Sequence, residues 1–132
     1  VPRLLMPHQF AHHYTQEAAR ALLPQLRRWL VKLRDLRREL ENRDRRLGQL
    51  MHGGHDVGGP LVNEWVKIMA DIRQVFSEFE RREISIKDLE RGLVDFPALI
   101  GGREVFLCWE QDEEDVEFWQ ALDGGFARRE HL

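Results

Sequence analysis

Apolar positions between residues 15 and 50 recur every seven residues. Leu26, Leu33, Leu40 and Leu47 form one row. Leu22, Trp29, Leu36 and Leu50 form a second, in which Arg43 is the only polar member. Rows spaced three and four apart over four heptads predict one long helix with a coiled-coil-like seam. Leu30 and Val31 broaden the stripe. Thr15 stands before the pattern as its N-cap, where a hydroxyl can accept a free first-turn N–H. Glu17 sits in the first turn, where the helix dipole favours an acid. Arg43 is either a register device or the point where the seam opens to water. Pro24 lies inside the pattern, and the heptad phase runs through it. The expected outcome is a kink near residues 22–24 without a change of direction.

Residues 51–59 carry four glycines and read as a flexible loop. Pro60 then opens a second helix. One of its apolar rows is Leu61, Trp65, Ile68, Ile72, Val75 and Phe79; Val62, Val66, Met69 and Phe76 lie beside it. A stripe this wide predicts burial against more than one neighbour. Two helices joined by a short loop predict an antiparallel hairpin over residues 15–82.

From Glu83 the period changes to two. Ile84 and Ile86 alternate with Ser85 and Lys87 as a first short strand. Residues 88–92 read as a turn and residues 93–99 as a second strand. Gly101–Gly102 is a two-residue hairpin signal, and residues 103–109 form the third strand, with Val105, Leu107 and Trp109 on one face. Pro97 in the middle strand is tolerable if the first strand is too short to reach it. Residues 113–122, with Val116, Phe118 and Trp119, read as a short acidic helix ended by Gly124–Gly125. Phe126 is expected to dock the tail. The predicted class is therefore α+β: a long antiparallel helical hairpin, a small three-stranded β-meander and a short C-terminal helix. It is read as one domain over residues 1–132, with an extended or partly disordered lead-in at 1–14, the hairpin at 15–82 and the meander and last helix at 83–132.

Composition narrows the function classes. Of 132 residues, 42% are apolar and 33% charged, enough for a core beneath a charged surface. One cysteine excludes an internal disulfide framework and any multi-Cys zinc site. No apolar run is long enough for a membrane span, and residues 1–10 lack a signal-peptide pattern, so a cytoplasmic protein is expected. The net charge of -3 conceals a split. Residues 20–46 hold ten Lys/Arg against four acids, a net +6. Residues 104–123 hold eight acids and no Lys or Arg. The split fits two solvated faces, a basic face for a polyanion, or complementary contacts within or between subunits.

Candidate chemistry is sparse. His52 and His55 form an HxxH in the glycine loop, near Asp56, but a metal needs further ligands and a fixed geometry. His8, His12 and His13 are expected to face solvent, although a site shared between the two histidine groups stays open. Cys108 should face away from Val105, Leu107 and Trp109, as a buried apolar filler. Asp88, Asp95 and Glu113 are the acids placed to meet around the sheet. Asp95, between Val94 and Phe96, needs a partner, for which Arg103 across the hairpin is the expectation. No Ser-His-Asp order, P-loop or dinucleotide fingerprint occurs, and no cofactor is implied. Arg27, Arg34, Arg38, Arg45 and Arg46 are the candidate polyanion contacts, without aromatic interleaving on the polar face.

Several strings carry a resemblance. YTQEAARALLP from Tyr14 to Pro24, Lys87–Asp88, GLVDFP from Gly92 to Pro97, Gly102–Arg103, VFLCW from Val105 to Trp109, and then Glu113, Trp119 and Gly125–Phe126 resemble the bacterial domain of unknown function family 2203. The resemblance implies a small soluble protein with a helical front half and implies no known activity. It also implies a His after Trp119, a Gly at 112 and a Gly at 127, where this chain has Gln120, Asp112 and Ala127. Gln120 cannot supply a proton at neutral pH or bind zinc well. Asp88, Asp95, Cys108 and Glu113 are the candidate enzymatic or metal site, within a wider candidate functional cluster that also takes in Arg103, Trp119 and Gln120. The leading expectation is a structural or interaction module that assembles through its hairpin, most simply as a two-fold dimer.

Overall fold

The computed structural model describes residues 8–54, 59–125 and 128–132. Helix α1 spans Gln16–His52 and α2 spans Pro60–Arg81. Five strands follow: β1 (Ser85–Asp88), β2 (Leu93–Ile100), β3 (Arg103–Glu110), β4 (Phe118–Ala121) and β5 (Glu130–His131). They form one antiparallel sheet in chain order. The class is α+β, with the expected pair of long helices packed on each other.

The start of α1 follows from its cap. Thr15 is extended, and its hydroxyl accepts from the Ala18 N–H at 3.0 Å. α1 runs as one helix through Pro24. The proline is exposed, so the carbonyl it leaves without an N–H partner, that of Arg20, is on the wet side. The buried stripe is Ala19, Leu23, Leu26, Leu30, Leu33 and Leu36. Beyond Leu36 the same heptad rows continue, but Leu40, Leu47 and Leu50 are only half-buried.

The core lies between α1 and one face of the sheet. Ala19, Leu23, Leu26, Leu30 and Leu33 pack with Val75 and Phe79 of α2 and with Val94, Phe96, Ala98, Val105, Leu107, Trp109 and Val116. Alternation along β2 and β3 sends Leu93, Asp95, Pro97, Phe106 and Cys108 to the opposite, outer face.

Three sheet expectations change. The meander has five strands instead of three. The predicted helix at 113–122 is absent: this segment reaches β4, which pairs with β3 through Val105↔Ala121, Phe106↔Gln120, Leu107↔Trp119 and Cys108↔Phe118. The physical reason is the second edge of β3. Its backbone groups and its buried Leu107 and Cys108 need a neighbour, and the spacing of Val116 and Trp119 is too short to separate a helix from a strand. Gly124 accordingly closes a turn, donating its N–H to the Ala121 carbonyl at 2.9 Å, and does not cap a helix. The docking expected of Phe126 lies outside the described residues.

The β2–β3 turn fits its glycines. Gly101 and Gly102 have φ of 59° and 80°, the left-handed pair that a tight hairpin needs. β1 pairs with β2 only as far as Ser85↔Asp95, so Pro97 does face an edge that β1 leaves open. That edge is used: the Tyr14 N–H donates to the Pro97 carbonyl at 2.7 Å. Residues 8–14 thus strap the sheet edge. Tyr14 packs on Phe96 at the inner face, and Phe10 packs on Phe106 at the outer face. Residues 1–7 of the expected lead-in lie outside the described residues.

Candidate functional site

The outer sheet face gathers part of the expected cluster. Asp95 on β2 is 1% exposed and stands opposite Cys108 of β3. Gln120 of β4, 4% exposed, reaches diagonally over β3 and donates its amide N–H to Asp95 Oδ2 at 3.1 Å. Gln120 Oε1 is buried and has no hydrogen-bond partner among the described residues. Lys87 of β1 lies over the Phe106 ring, 5.4 Å from its centroid. A cavity of about 320 Å³ adjoins the group, lined by Lys87, Asp88, Leu93, Asp95, Gln120, Gly124 and Gly125.

Burial sets the electrostatics of this face. It pushes the Asp95 carboxyl above its ordinary value, against the pull of Lys87, the Cys108 thiol and the Gln120 amide. Burial also pushes the Cys108 thiol far up, and the neighbouring Asp95 adds to it. Cys108 is therefore a free, buried thiol and not a thiolate nucleophile. It faces away from Val105, Leu107 and Trp109, as the alternation predicts.

Of the other members of the cluster, Asp88 lines the same cavity, whereas Arg103, Glu113 and Trp119 are elsewhere. Arg103 is exposed at the hairpin, paired in register with Ile100, and is not the partner of Asp95; Gln120 is. The reason is register: eight-residue strands place Arg103 at the turn and Asp95 five positions further in. Glu113 is a structural hub. Its carboxylate accepts from Arg129 at 2.7 Å and from the Glu110 N–H at 2.9 Å. Its carbonyl accepts from Trp109 Nε1 at 2.9 Å and from Arg27 at 2.8 Å. Asp88 Oδ1 accepts the Arg91 N–H at 3.1 Å and fixes the β1–β2 turn. Trp119 packs against the inner core.

The candidate polyanion arginines are largely engaged. Arg27 also lies over the Trp109 ring, and Arg34 donates to the Leu89 carbonyl at 3.1 Å. Arg38 pairs with Asp35, and Arg45 with Asn42. Arg46 is exposed. The two charged segments meet within the chain: Arg20 forms a double hydrogen bond with Asp115, both contacts at 2.9 Å. Arg43, the polar interruption of the seam, pairs with Glu64 of α2 at 2.9 Å, and Asp44 accepts from Trp65 Nε1 at 2.6 Å. The interruption is thus a cross-helix polar link.

Two carboxylates hold the strap, and sequence reasoning missed both. Glu83, which follows the C-cap residue Arg82 of α2, has a left-handed φ of 58°. It accepts from the N–H groups of Ala11 and His12 and contacts His12 Nδ1, at 2.7–2.8 Å. Those hydrogen bonds hold its carboxyl below the usual range. Glu104 of β3 accepts from the Gln9 and Phe10 N–H groups at 2.8 and 3.0 Å. His13 Nε2 is 2.9 Å from Glu104 Oε2, and His8 Nδ1 is 3.8 Å from Oε1. Burial pushes the Glu104 carboxyl up, but His13, the two N–H groups and His8 outweigh it and bring it to about 2. Of the histidines expected in solvent, His8 and His12 are exposed, whereas His13 is only 19% exposed and is tied to Glu104 of β3. A partner 91 residues away leaves no local signal; the crowding of three histidines into six residues was the available hint. His52 is exposed at the end of α1, and His55 lies outside the described residues.

Fold and site together define an α+β protein in which a helical hairpin covers one face of a five-stranded antiparallel meander and a strap crosses its edge. The chain belongs to the family described as an uncharacterized conserved protein (DUF2203), which matches residues 12–132. No curated protein and no solved structure gives a match. Among the described residues, no helix is long and apolar enough to cross a membrane.

Proposed function

We propose that this protein is an interaction module that assembles with a second copy of itself through the outer row of α2. One observation carries the reading. α2 has two apolar rows, and only one is covered. In the first row Ile68, Val75 and Phe79 are buried, and Leu61, Trp65 and Ile72 are half-buried. Val62, Val66 and Phe76 are exposed, with Val66 at 52%, and Met69 is half-buried between them. These four, with Arg73, repeat at three- and four-residue spacing, the pattern of a helix–helix seam. A mainly apolar groove of about 410 Å³, lined by Leu33, Leu40, Met69, Ile72, Phe76, Ile86 and Leu89 together with Arg37, continues the surface. Exposed Ala70 and Ser77 flank the row and allow close helix approach. A two-fold pairing of α2 with its copy makes a four-helix arrangement, the simplest closed assembly. A cytoplasmic location fits a chain whose single cysteine is a buried free thiol.

Val66→Asp places a charge in the centre of the row without touching the core. The expected outcome is dissociation to monomer at tens of micromolar with an unchanged unfolding midpoint once both proteins are monomeric. A wild-type protein that is already monomeric there contradicts the reading. Surface charge plays a smaller part here, since Arg20–Asp115 closes within the chain; raising salt should weaken assembly only modestly.

A second reading, a small-molecule site on the outer sheet face, is favoured by Gln120 Oε1, which has no hydrogen-bond partner among the described residues, beside the Asp95 cavity. A buried acceptor without a donor costs about 1–3 kcal/mol, which a donor-bearing ligand would recover. Thermal-shift screening with small amines and amides, repeated on Gln120→Leu, tests it. A shift that is the same in both proteins, or absent from the wild type, counts against it.

A further inference from the structure

The strap brings two imidazoles and a carboxylate to one point. One ring nitrogen from each of His8 and His13 and one Glu104 carboxylate oxygen all lie within 4.8 Å of one another. We propose that His8, His13 and Glu104 bind a divalent transition cation of the zinc class. This site is separate from the outer row of α2 and does not depend on the assembly reading.

Three features support it. The first is spacing. Zinc takes nitrogen and oxygen ligands at about 2.0–2.2 Å, so two tetrahedral ligands stand about 3.3 Å apart. His13 Nε2 is 2.9 Å from Glu104 Oε2 and His8 Nδ1 is 3.8 Å from Oε1, so the separations bracket that value across the two oxygens of one carboxylate. The remaining separation, between the two ring nitrogens, is within 4.8 Å, and the half-exposed His8 ring closes it on an ion. The second is ligand type. Two imidazoles and one carboxylate suit zinc, cobalt, nickel or ferrous iron and are too nitrogen-rich for magnesium or calcium. The third is orientation. Glu104 is held by the Gln9 and Phe10 N–H groups, each using one lone pair of a different oxygen. Such hydrogen bonds fix a ligating carboxylate and leave lone pairs for the metal. The two rings meet edge to face, with centroids 5.1 Å apart, so neither blocks the other.

The surroundings define the kind of site. Glu104 and His13 are largely covered, whereas His8 is half exposed. The open side lies at His8, which leaves room for a fourth ligand from water. Three protein ligands and an open position make a site that can also take an anionic ligand from solution. Its structural effect is to fasten residues 8–13 to β3, and so to hold Phe10 on Phe106 over the outer face of the sheet.

The experiment uses the full chain without an affinity tag, stripped with a chelator. Zinc is titrated by calorimetry, and cobalt by visible absorption, whose band position and intensity report the coordination geometry. The wild type is expected to take up one ion per chain. Loss of one of three ligands is expected to weaken binding by at least about tenfold, since even outer partners of a metal are worth about 10–100-fold. His13→Ala and His8→Ala should both show this loss, and His52→Ala and His131→Ala should not. His8 is half exposed, so His8→Ala keeps the test valid if His13→Ala fails to fold. No uptake by the wild type, or equal uptake by the wild type and the His8→Ala/His13→Ala double variant, overturns the proposal.

Discussion

The two ends of the helical hairpin share a heptad pattern but differ in burial. At the base, Leu23, Leu26, Leu30 and Leu33 of α1 are buried between α2 and the sheet. At the far end, Leu40, Leu47 and Leu50 continue the pattern and stay half-buried, Leu40 at the groove it shares with Ile86 and Leu89. Periodicity says that an apolar row exists; it does not say how many layers cover it. The third layer here is the sheet, and it ends near Leu36. Polar contacts change in the same direction. At the base, Arg27 and Arg34 of α1 donate to backbone carbonyls of the sheet region. At the far end, the links between the helices are exposed side-chain pairs, Arg43–Glu64 and Asp44–Trp65. Pairs of that kind contribute little stability each.

Paired truncations sharpen this contrast most. Leu30→Ala removes a fully buried side chain and is expected to cost about 2–5 kcal/mol. Leu47→Ala, on the same helix, is expected to cost under about 1 kcal/mol, because its side chain already meets water. Equilibrium urea unfolding of both variants checks the difference, and equal costs would break the comparison. Gly92→Ala attacks the base from the sheet side. Gly92 has φ of 68°, and an added Cβ would come within 2.5 Å of the Gln111 Cβ. The expected loss is about 1–3 kcal/mol by the same measurement. Thr15→Ala removes the cap of α1 at its basal end, with an expected loss of about 1 kcal/mol.

The smallest predicted effect concerns pH. Asp95 has a folded pKa above its unfolded value, because burial disfavours the carboxylate. A group of this sign contributes stability that is fully present below its unfolded pKa, near 3.8, and is lost as pH rises through the folded pKa. Asp95→Asn removes the titration. The stability difference, wild type minus variant, should therefore fall as pH is raised from 4 to 7. Urea unfolding across that range reads it, and a rising difference would show that Asp95 is stabilised as a carboxylate.

Much of the fold was legible because its signals are local. The rows of α1, the Thr15 cap, the start of α2 at Pro60 and the Gly101–Gly102 hairpin each depend on residues close in sequence. The misreadings have the opposite origin. Residues 118–121 are a strand because β3 offers an open edge, and ten residues with Val116 and Trp119 three apart carry no independent sign of it. Asp95 was rightly marked as needing a partner, yet Gln120 is 25 positions away and two strands over, so register alone could supply it. Arg103 looked nearer only because the hairpin is drawn short in sequence. The histidine–carboxylate cluster was invisible for the same reason: His13 and Glu104 meet only because the strap follows the edge that β1 leaves open. Local patterns mark α1, α2 and the first three strands, whereas edge capture added β4 and, with strand register, decided which side chains share a site.

The central functional claim is that the outer row of α2 pairs with a second copy. Native mass spectrometry of the untagged chain at tens of micromolar tests it most directly, alongside the Val66→Asp variant. The account predicts a wild-type species of twice 15.7 kDa and a variant species of 15.7 kDa. A wild-type species of 15.7 kDa, or a dimer that survives Val66→Asp unchanged, would contradict it.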